Sequence, residues 1–407
     1  MKKFALYVAL GATFIFSTSA SFAGDIVEYL VFASKKPPFP ISEWYNASNI
    51  DLRSPPGSVI RLEQIDGPAS TSSWRVLYVS QTEDGKHVPA SGLIIEPKSA
   101  GLSPVVVWAH GTTGTARGCA PSLAPNPVRE FTQRGGFERL PISVGIPYLY
   151  AWLQRGYVVV APDYAGLGTE GIHHYLVGVD ASRDLLNLVR AARTIDPTRV
   201  GSDVALMGAS QGGQAVLFAG EIAKQYAPDL RITAIAALAP AATLALSSGE
   251  GAASFTSGSP LPYLIASGYS DAYHLDTSIF NEIGKSRLIK AMSECVVEFY
   301  MDVTKSKQTG MSGGLMDSTS WSTALMRNNA GTMRSQAPVY IAHGTEDKII
   351  PAESTMTYLE RAQASGTKVT VQWIKNAGHG DIIDKARSAV VDWIDAGFSN
   401  HDMAGTR

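Results

Sequence analysis

Residues 203–220 read DVALMGASQGGQAVLFAG: a short apolar run, one serine among glycines, then a helix-like run with no linker between them. Few folds accept this. The chain has to turn from strand into helix within Gly208–Gly213, and Ser210 falls on the corner itself. A residue on so sharp a turn has a strained backbone, and Gly208, Gly212 and Gly213 remove the Cβ atoms that would collide there. The pentapeptide Gly208-Ala209-Ser210-Gln211-Gly212 has the form G-x-S-x-G. Alone it is weak, because its residue types are common; between a strand and a helix it is specific. It pushes the serine hydroxyl out at the C-terminal edge of a sheet, and the following helix aims its free N–H groups at the same place.

The rest of the chain supplies such a sheet. SSWRVLYVSQT and HVPASGLIIEP are paired strands joined by the turn EDGK. SPVVVWAHG, GYVVVAPDYAG, DVALMGAS, ITAIAALAP, PVYIAHGTED and KVTVQWIKNAGH are apolar runs of the kind buried in parallel sheets. Helical segments intervene: PYLYAWLQRG, DASRDLLNLVRAART, GQAVLFAGEIAKQYA and AESTMTYLERAQASG, with a single last helix expected over DIIDKARSAVVDWIDAGF. The alternation predicts an α/β protein with a mostly parallel central sheet and helices on both faces. Residues 241–336 break the rhythm. They are far longer than a crossover needs, hold a Gly/Ser stretch at 247–259 and then helix-like pieces, and are expected to form an inserted helical cap.

The N-terminus has Lys2 and Lys3, an apolar run from Phe4 to Phe16, and small residues before Ala23. It is expected to be a signal peptide, residues 1–23, which points to a secreted or periplasmic protein. Residues 24–70 are expected to be a surface arm with little regular structure, followed by the core in two parts, 71–240 and 337–407. Among 407 residues, 45% are hydrophobic and the net charge is −2, a globular composition without the basic surplus of a nucleic-acid binder. In an exported chain the two cysteines, Cys119 and Cys295, are consistent with one disulfide.

A serine hydroxyl needs a base to become a nucleophile, an acid to orient that base, and donors for the oxyanion it creates. On a sheet of this kind the order along the chain is serine, acid, histidine. Asp347 ends the run YIAHGTED and His379 lies in the loop after VQWIKNAG, both at the same sheet edge as Ser210. Glu346 and Asp381 are the rival acids. His110 and His343 follow strands but satisfy no such order and are read as structural. The oxyanion donors are expected to be the backbone N–H groups of Gln211 and of Thr112 in the loop HGTTG, with Thr113 as the alternative. No H-E-x-x-H is present, and the neighbours His173 and His174 do not make a helical metal face, so neither metal nor cofactor is expected.

Taken together, VVVWAHGTTG, CAPS, DYAGLGTEG, HHYLVG, GASQGG, HGTEDKIIP and GHGD resemble the secretory lipase family of α/β-hydrolases, from about residue 55 to His379. The resemblance implies a carboxylic-ester hydrolase, a triacylglycerol lipase or carboxylesterase, with a Ser210–Asp347–His379 triad, an acyl-enzyme intermediate, an oxyanion donor at Thr112 and a helical cap. Where family members often have H-P-Y-L, this chain has His173-His174-Tyr175-Leu176. An ester or lipid substrate would then be the partner, with the cap in transient contact with a lipid interface and no protein partner implied. The apolar cap residues Phe255, Leu261, Tyr263, Leu264, Phe280, Leu288, Phe299 and Tyr300 would line an acyl tunnel or, more commonly for such residues, form the cap's own core. An acyltransferase or peptidase could use the same triad. A non-catalytic binder of hydrophobic ligands is disfavoured because every catalytic element is present.

Overall fold

The computed structural model describes residues 38–402 except 100, 125, 131–144, 245–258 and 307. The expected signal peptide, the start of the arm, Phe255 and nearly all of the Gly/Ser stretch lie outside the described residues.

Nine strands form one sheet in the order β1-β2-β3-β5-β4-β6-β7-β8-β9. They are β1 (Val59–Ile65), β2 (Thr71–Gln81), β3 (His87–Pro97), β4 (Ser103–Ala109), β5 (Val158–Pro162), β6 (Val200–Ala209), β7 (Arg231–Leu238), β8 (Val339–Gly344) and β9 (Val369–Ile374). β1, β2 and β3 pair antiparallel and join β5 antiparallel. From β5 through β4, β6, β7 and β8 to β9 every pairing is parallel. Side chains alternate across each buried strand. On β4, Val105 and Val107 enter the cluster on one face, and Val106 and Trp108 enter the cluster on the other. This two-sided burial is why the central strands are apolar throughout.

The first face is covered by α2 (Gly178–Ile195), α3 (Gln211–Tyr226) and α8 (Ala352–Ala364); the second by α1 (Leu149–Gln154) and α10 (Arg387–Asp402). Between β7 and β8 stand α4 (Leu261–Ala272), α5 (Glu282–Ala291), α6 (Val296–Lys305) and α7 (Thr319–Arg327). They share a third apolar cluster containing Tyr263, Leu264, Phe280, Leu288, Phe299, Trp321 and Leu325. The apolar residues of the insertion therefore pack mainly on one another. Leu261 and Tyr300 lie against this cluster, partly buried.

Two expectations need correction. Residues 59–65 are not irregular arm but the edge strand β1, paired with β2 over Val59–Ile65. An edge strand is half-exposed and alternates polar with apolar residues, so VIRLEQI carries no strong apolar signal beside the Pro-rich stretch before it. The single C-terminal helix is divided at Ala386 into α9 (Ile382–Lys385) and α10, although the Ala386 N–H still donates to the Ile382 carbonyl at 3.0 Å. Among the described residues no helix is long and apolar enough to cross a membrane.

Candidate active site

β6 delivers Ser210 to the C-terminal edge of the sheet, at the N-cap of α3, with φ 56° and ψ −115°. A non-glycine residue in that region is strained, at a cost of about 1–3 kcal/mol, and persists only where its surroundings enforce it. They do so here. The Ser210 N–H donates to the Leu238 carbonyl at 2.9 Å, and the Ser210 carbonyl accepts from Gln214 and Ala241, each at 3.1 Å. The glycines explain how α3 comes so close. A Cβ on Gly212 would stand 1.9 Å from the Ala109 carbonyl oxygen, and one on Gly208 would stand 2.2 Å from the Gly212 carbonyl oxygen. A Cβ on Gly213 would meet Pro240 Cα at 2.8 Å.

The next strands along the sheet supply the acid and the base. Asp347 follows β8, and His379 lies in the loop after β9. His379 Nδ1 donates to Asp347 Oδ2 at 2.6 Å, leaving the lone pair of Nε2 as the acceptor. Asp347 Oδ1 accepts the N–H groups of Ile349 and Ile350, both at 2.9 Å. Burial alone would raise the Asp347 carboxyl. The charge and hydrogen bond of His379, the proximity of His343 and the Ile350 N–H together hold it below its ordinary range. The rival Glu346 follows the same strand, but the imidazole is bonded to Asp347. The other rival, Asp381, instead accepts the Gly378 N–H at 3.0 Å. Ser210, Asp347 and His379 are 8%, 7% and 6% exposed, so each is nearly enclosed but within reach of the surface. No hydrogen bond joins Ser210 to His379 among the described residues.

The other buried histidines are held in structural bonds. His343 packs between the Thr355 hydroxyl, 2.8 Å from Nδ1, and the Ile350 carbonyl, 2.9 Å from Nε2. Burial lowers its pKa and keeps it neutral behind Asp347, 3.6 Å away. His110 lies 2.6 Å from the Gly111 carbonyl and is fully buried.

Gln211 is the first residue of α3, and Thr112 stands in the loop after β4. Among the described residues neither backbone N–H has an acceptor. Both side chains do have partners, which the sequence reading missed. The Thr112 and Tyr175 hydroxyls are 2.7 Å apart, and the Gln211 amide donates to His173 Nε2 at 3.0 Å. His173 in turn directs Nδ1–H to the Ala165 carbonyl at 3.0 Å, and burial pushes its pKa down to about 3, so it is neutral. The only signal for these contacts was the unusual His173-His174-Tyr175-Leu176 run.

The loop beyond Thr112 is fastened to the insertion. Cys119 and Cys295 are disulfide-bonded, with Cα atoms 5.5 Å apart. Val296 N–H donates to the Thr113 carbonyl at 2.9 Å, and the Thr115 hydroxyl to the Ala291 carbonyl at 2.6 Å. Among the described residues no group of His, Cys, Asp and Glu is arranged to hold a metal ion.

Comparison with known proteins agrees with this architecture. The family model "Secretory lipase" matches residues 134–405. The chain is 23% identical to "Secreted triacylglycerol lipase LIP4" of Malassezia furfur, over 80% of this chain and 64% of that one. It is 28% identical to "Lipase A" of Arthroderma benhamiae, over 54% of this chain and 42% of that one. The matches therefore span less than two thirds of the length of these two relatives. Against Lipase 6 of Candida albicans the identity is 24% over 91% of this chain and 84% of that one. Among solved structures, Candida antarctica lipase A in its closed state superposes with a TM-score of 0.68 at 18% identity, covering 85% of this chain and 83% of that one. The rice cell wall degrading esterase LipA from Xanthomonas oryzae gives 0.61 at 18% identity, covering 83% and 97%. With the family model matching well over half its length, the chain belongs to the secretory lipase family, and its fold is that of the α/β-hydrolases.

Proposed function

We propose that the protein is an exported serine hydrolase that cleaves carboxylic esters through an acyl-enzyme, with Ser210 as nucleophile, His379 as general base and acid, and Asp347 as its orienting partner. The observation that carries this reading is the 2.6 Å bond between His379 Nδ1 and Asp347 Oδ2 at the sheet edge that also bears the strained Ser210.

In the first half-reaction the Ser210 oxygen attacks the ester carbonyl carbon while His379 Nε2 takes its proton. The ionised Asp347 stabilises the imidazolium and keeps Nε2 turned to the serine. The carbonyl oxygen becomes an oxyanion and accepts from the Thr112 and Gln211 N–H groups, which have no competing acceptor. Collapse expels the alcohol, which leaves with the proton from Nε2. Water then gives a proton to Nε2 and attacks the acyl carbon; a second collapse releases the carboxylic acid, and the serine recovers its proton. Every step is acid–base or nucleophilic, with water and groups of the chain itself as the reactants beside the ester.

Residues 241–336 serve in this reading as a cap. Support comes from the ties at Cys119, Thr113 and Thr115, which fix the insertion to the loop that bears Thr112. An ester such as a triacylglycerol is the substrate class suggested by the relatives' names, with the cap meeting its interface. Residues 1–23 would be the export signal. The test is Ser210→Ala. It should abolish hydrolysis of a short p-nitrophenyl ester and covalent labelling by a fluorophosphonate while leaving the melting temperature close to the parent's. Wild-type turnover by that variant would reject the assignment.

A further inference from the structure

The short run His173–Tyr175 has an unusual set of contacts. Its backbone is gripped from two sides. A Cβ on Gly166 would lie 2.4 Å from the His173 nitrogen, and one on Gly268 of α4 would lie 2.7 Å from the Tyr175 nitrogen. The middle residue is clamped. His174 Nδ1 is 2.6 Å from Asp180 Oδ2 on α2, and Nε2 is 3.0 Å from Asp271 Oδ2 on α4. One carboxylate belongs to the core and the other to the insertion. Just beyond, Leu176 has φ 59°, and its carbonyl accepts from the Tyr269 hydroxyl at 3.0 Å and the Gln214 amide at 3.2 Å.

The residues on either side of the clamp reach in the other direction. His173 holds the side chain of Gln211, and Tyr175 holds the side chain of Thr112. These are the two residues whose backbone N–H groups were assigned to the oxyanion. Gln211 is also fixed by its helix. Thr112 has no helix to hold it: it stands in the loop after β4, just before the ties to the insertion that begin at Thr113, and its own side chain meets the Tyr175 hydroxyl. A donor displaced by a fraction of an ångström loses much of its value in the transition state.

We propose that His173 and Tyr175 are positioning residues for the oxyanion site, one three-residue segment aligning both donors, with the His174 clamp bracing that segment between core and insertion. The inference rests on the roles given to Ser210, Thr112 and Gln211 above. It assigns Tyr175 no contact with substrate; its effect passes through Thr112.

The experiment is a double-mutant cycle on the full-length protein with a soluble short-chain p-nitrophenyl ester. Tyr175→Phe removes one hydroxyl, and Thr112→Val removes the other while keeping the backbone N–H. Each should lower kcat about tenfold, part of what loss of a whole oxyanion donor costs, and leave KM within about twofold. The double variant should fall no further than the worse single one, and Thr112→Ser should restore kcat. Gln211→Met, which keeps its N–H but releases His173, should show the same loss confined to kcat. Additive losses, a change in KM alone, or unchanged kcat in Tyr175→Phe overturns the inference. Fluorophosphonate labelling separates its failure from that of the function: wild-type protein that is not labelled at Ser210 defeats the catalytic assignment, whereas labelled, active wild type with an indifferent Tyr175→Phe defeats only the positioning role.

Discussion

Ser210 occupies a conformation that few side chains adopt, and its neighbours make that possible by having no side chain at all. The sharpest case is Gly212, where an added methyl group would lie 1.9 Å from the Ala109 carbonyl and 2.7 Å from that of His110. Neither atom is the free end of a flexible chain; both belong to the backbone that leads into the loop bearing Thr112. Gly212→Ala should therefore lower stability by at least the roughly 1–3 kcal/mol typical of overpacking, read as a lower melting temperature, and should abolish fluorophosphonate labelling as the elbow shifts. Asp347 makes a different prediction. Asp347→Asn keeps the shape but lets the amide stabilise the wrong imidazole tautomer, so kcat should fall by about 10⁴ with KM little changed. Because the native carboxyl is held low, its contribution to stability is present above the ordinary carboxylate range and is lost as pH falls through the lower native value. The melting-temperature gap between parent and Asp347→Asn should accordingly shrink on acidification. Candidates for serine, acid and histidine could be named from the sequence because each sits on a short motif at the end of an apolar strand, with Glu346 and Asp381 left as rival acids. Tyr175 could not: its partner is 63 residues away, and no local pattern announces a hydroxyl pair.

Among the elements, the contact of α4 with the loop before α2 is the one most open to pH. Burial opposes the charged form of His174, but the hydrogen bonds and charges of Asp180 and Asp271 outweigh it and raise its pKa. His174, Asp180 and Asp271 border a cavity that is also lined by Asp184 on α2, by Glu83, Asp84 and Lys86 on the β2–β3 turn, and by His173 and His274. Nearby, Arg327 of α7 pairs with Glu83, a further tie between insertion and core. The sign follows from the raised value. The clamp's stabilisation is complete below the ordinary histidine pKa of about 6.5 and disappears as pH rises through the higher native one. Asp271→Asn should thus melt below the parent near about pH 5.5 and converge with it near about pH 9, in differential scanning calorimetry at low salt. A constant gap across that range would show that the clamp acts through packing alone. At this scale sequence patterns served the buried strands well and the edge poorly. β4 to β8 are apolar because both faces are covered, whereas β1 has one neighbour and reads as turn-rich coil.

For the whole molecule the question is how two apolar cores, the sheet and the insertion, are held in one arrangement. The Cys119–Cys295 bond closes a loop spanning 176 residues that contains both the turn at Ser210 and the first part of the insertion. Removing it with Cys119→Ser and Cys295→Ser should cost about 2–5 kcal/mol and loosen the insertion before the sheet, so limited proteolysis should cut first between residues 260 and 330. Equal protease resistance in the double variant would refute that role. The sequence alone determined the class of fold, the order of its strands along the chain and the placing of Ser210 on a strand-to-helix turn. Those properties follow from local periodicity and from backbone strain, which nearby residues encode. Only the tertiary structure decided that Asp347 rather than Glu346 meets His379, that β1 completes the sheet, and that His173, His174 and Tyr175 bridge α2, α4 and the loop bearing Thr112. Those outcomes depend on which distant surfaces meet, and a chain records that choice only in the sum of its packing.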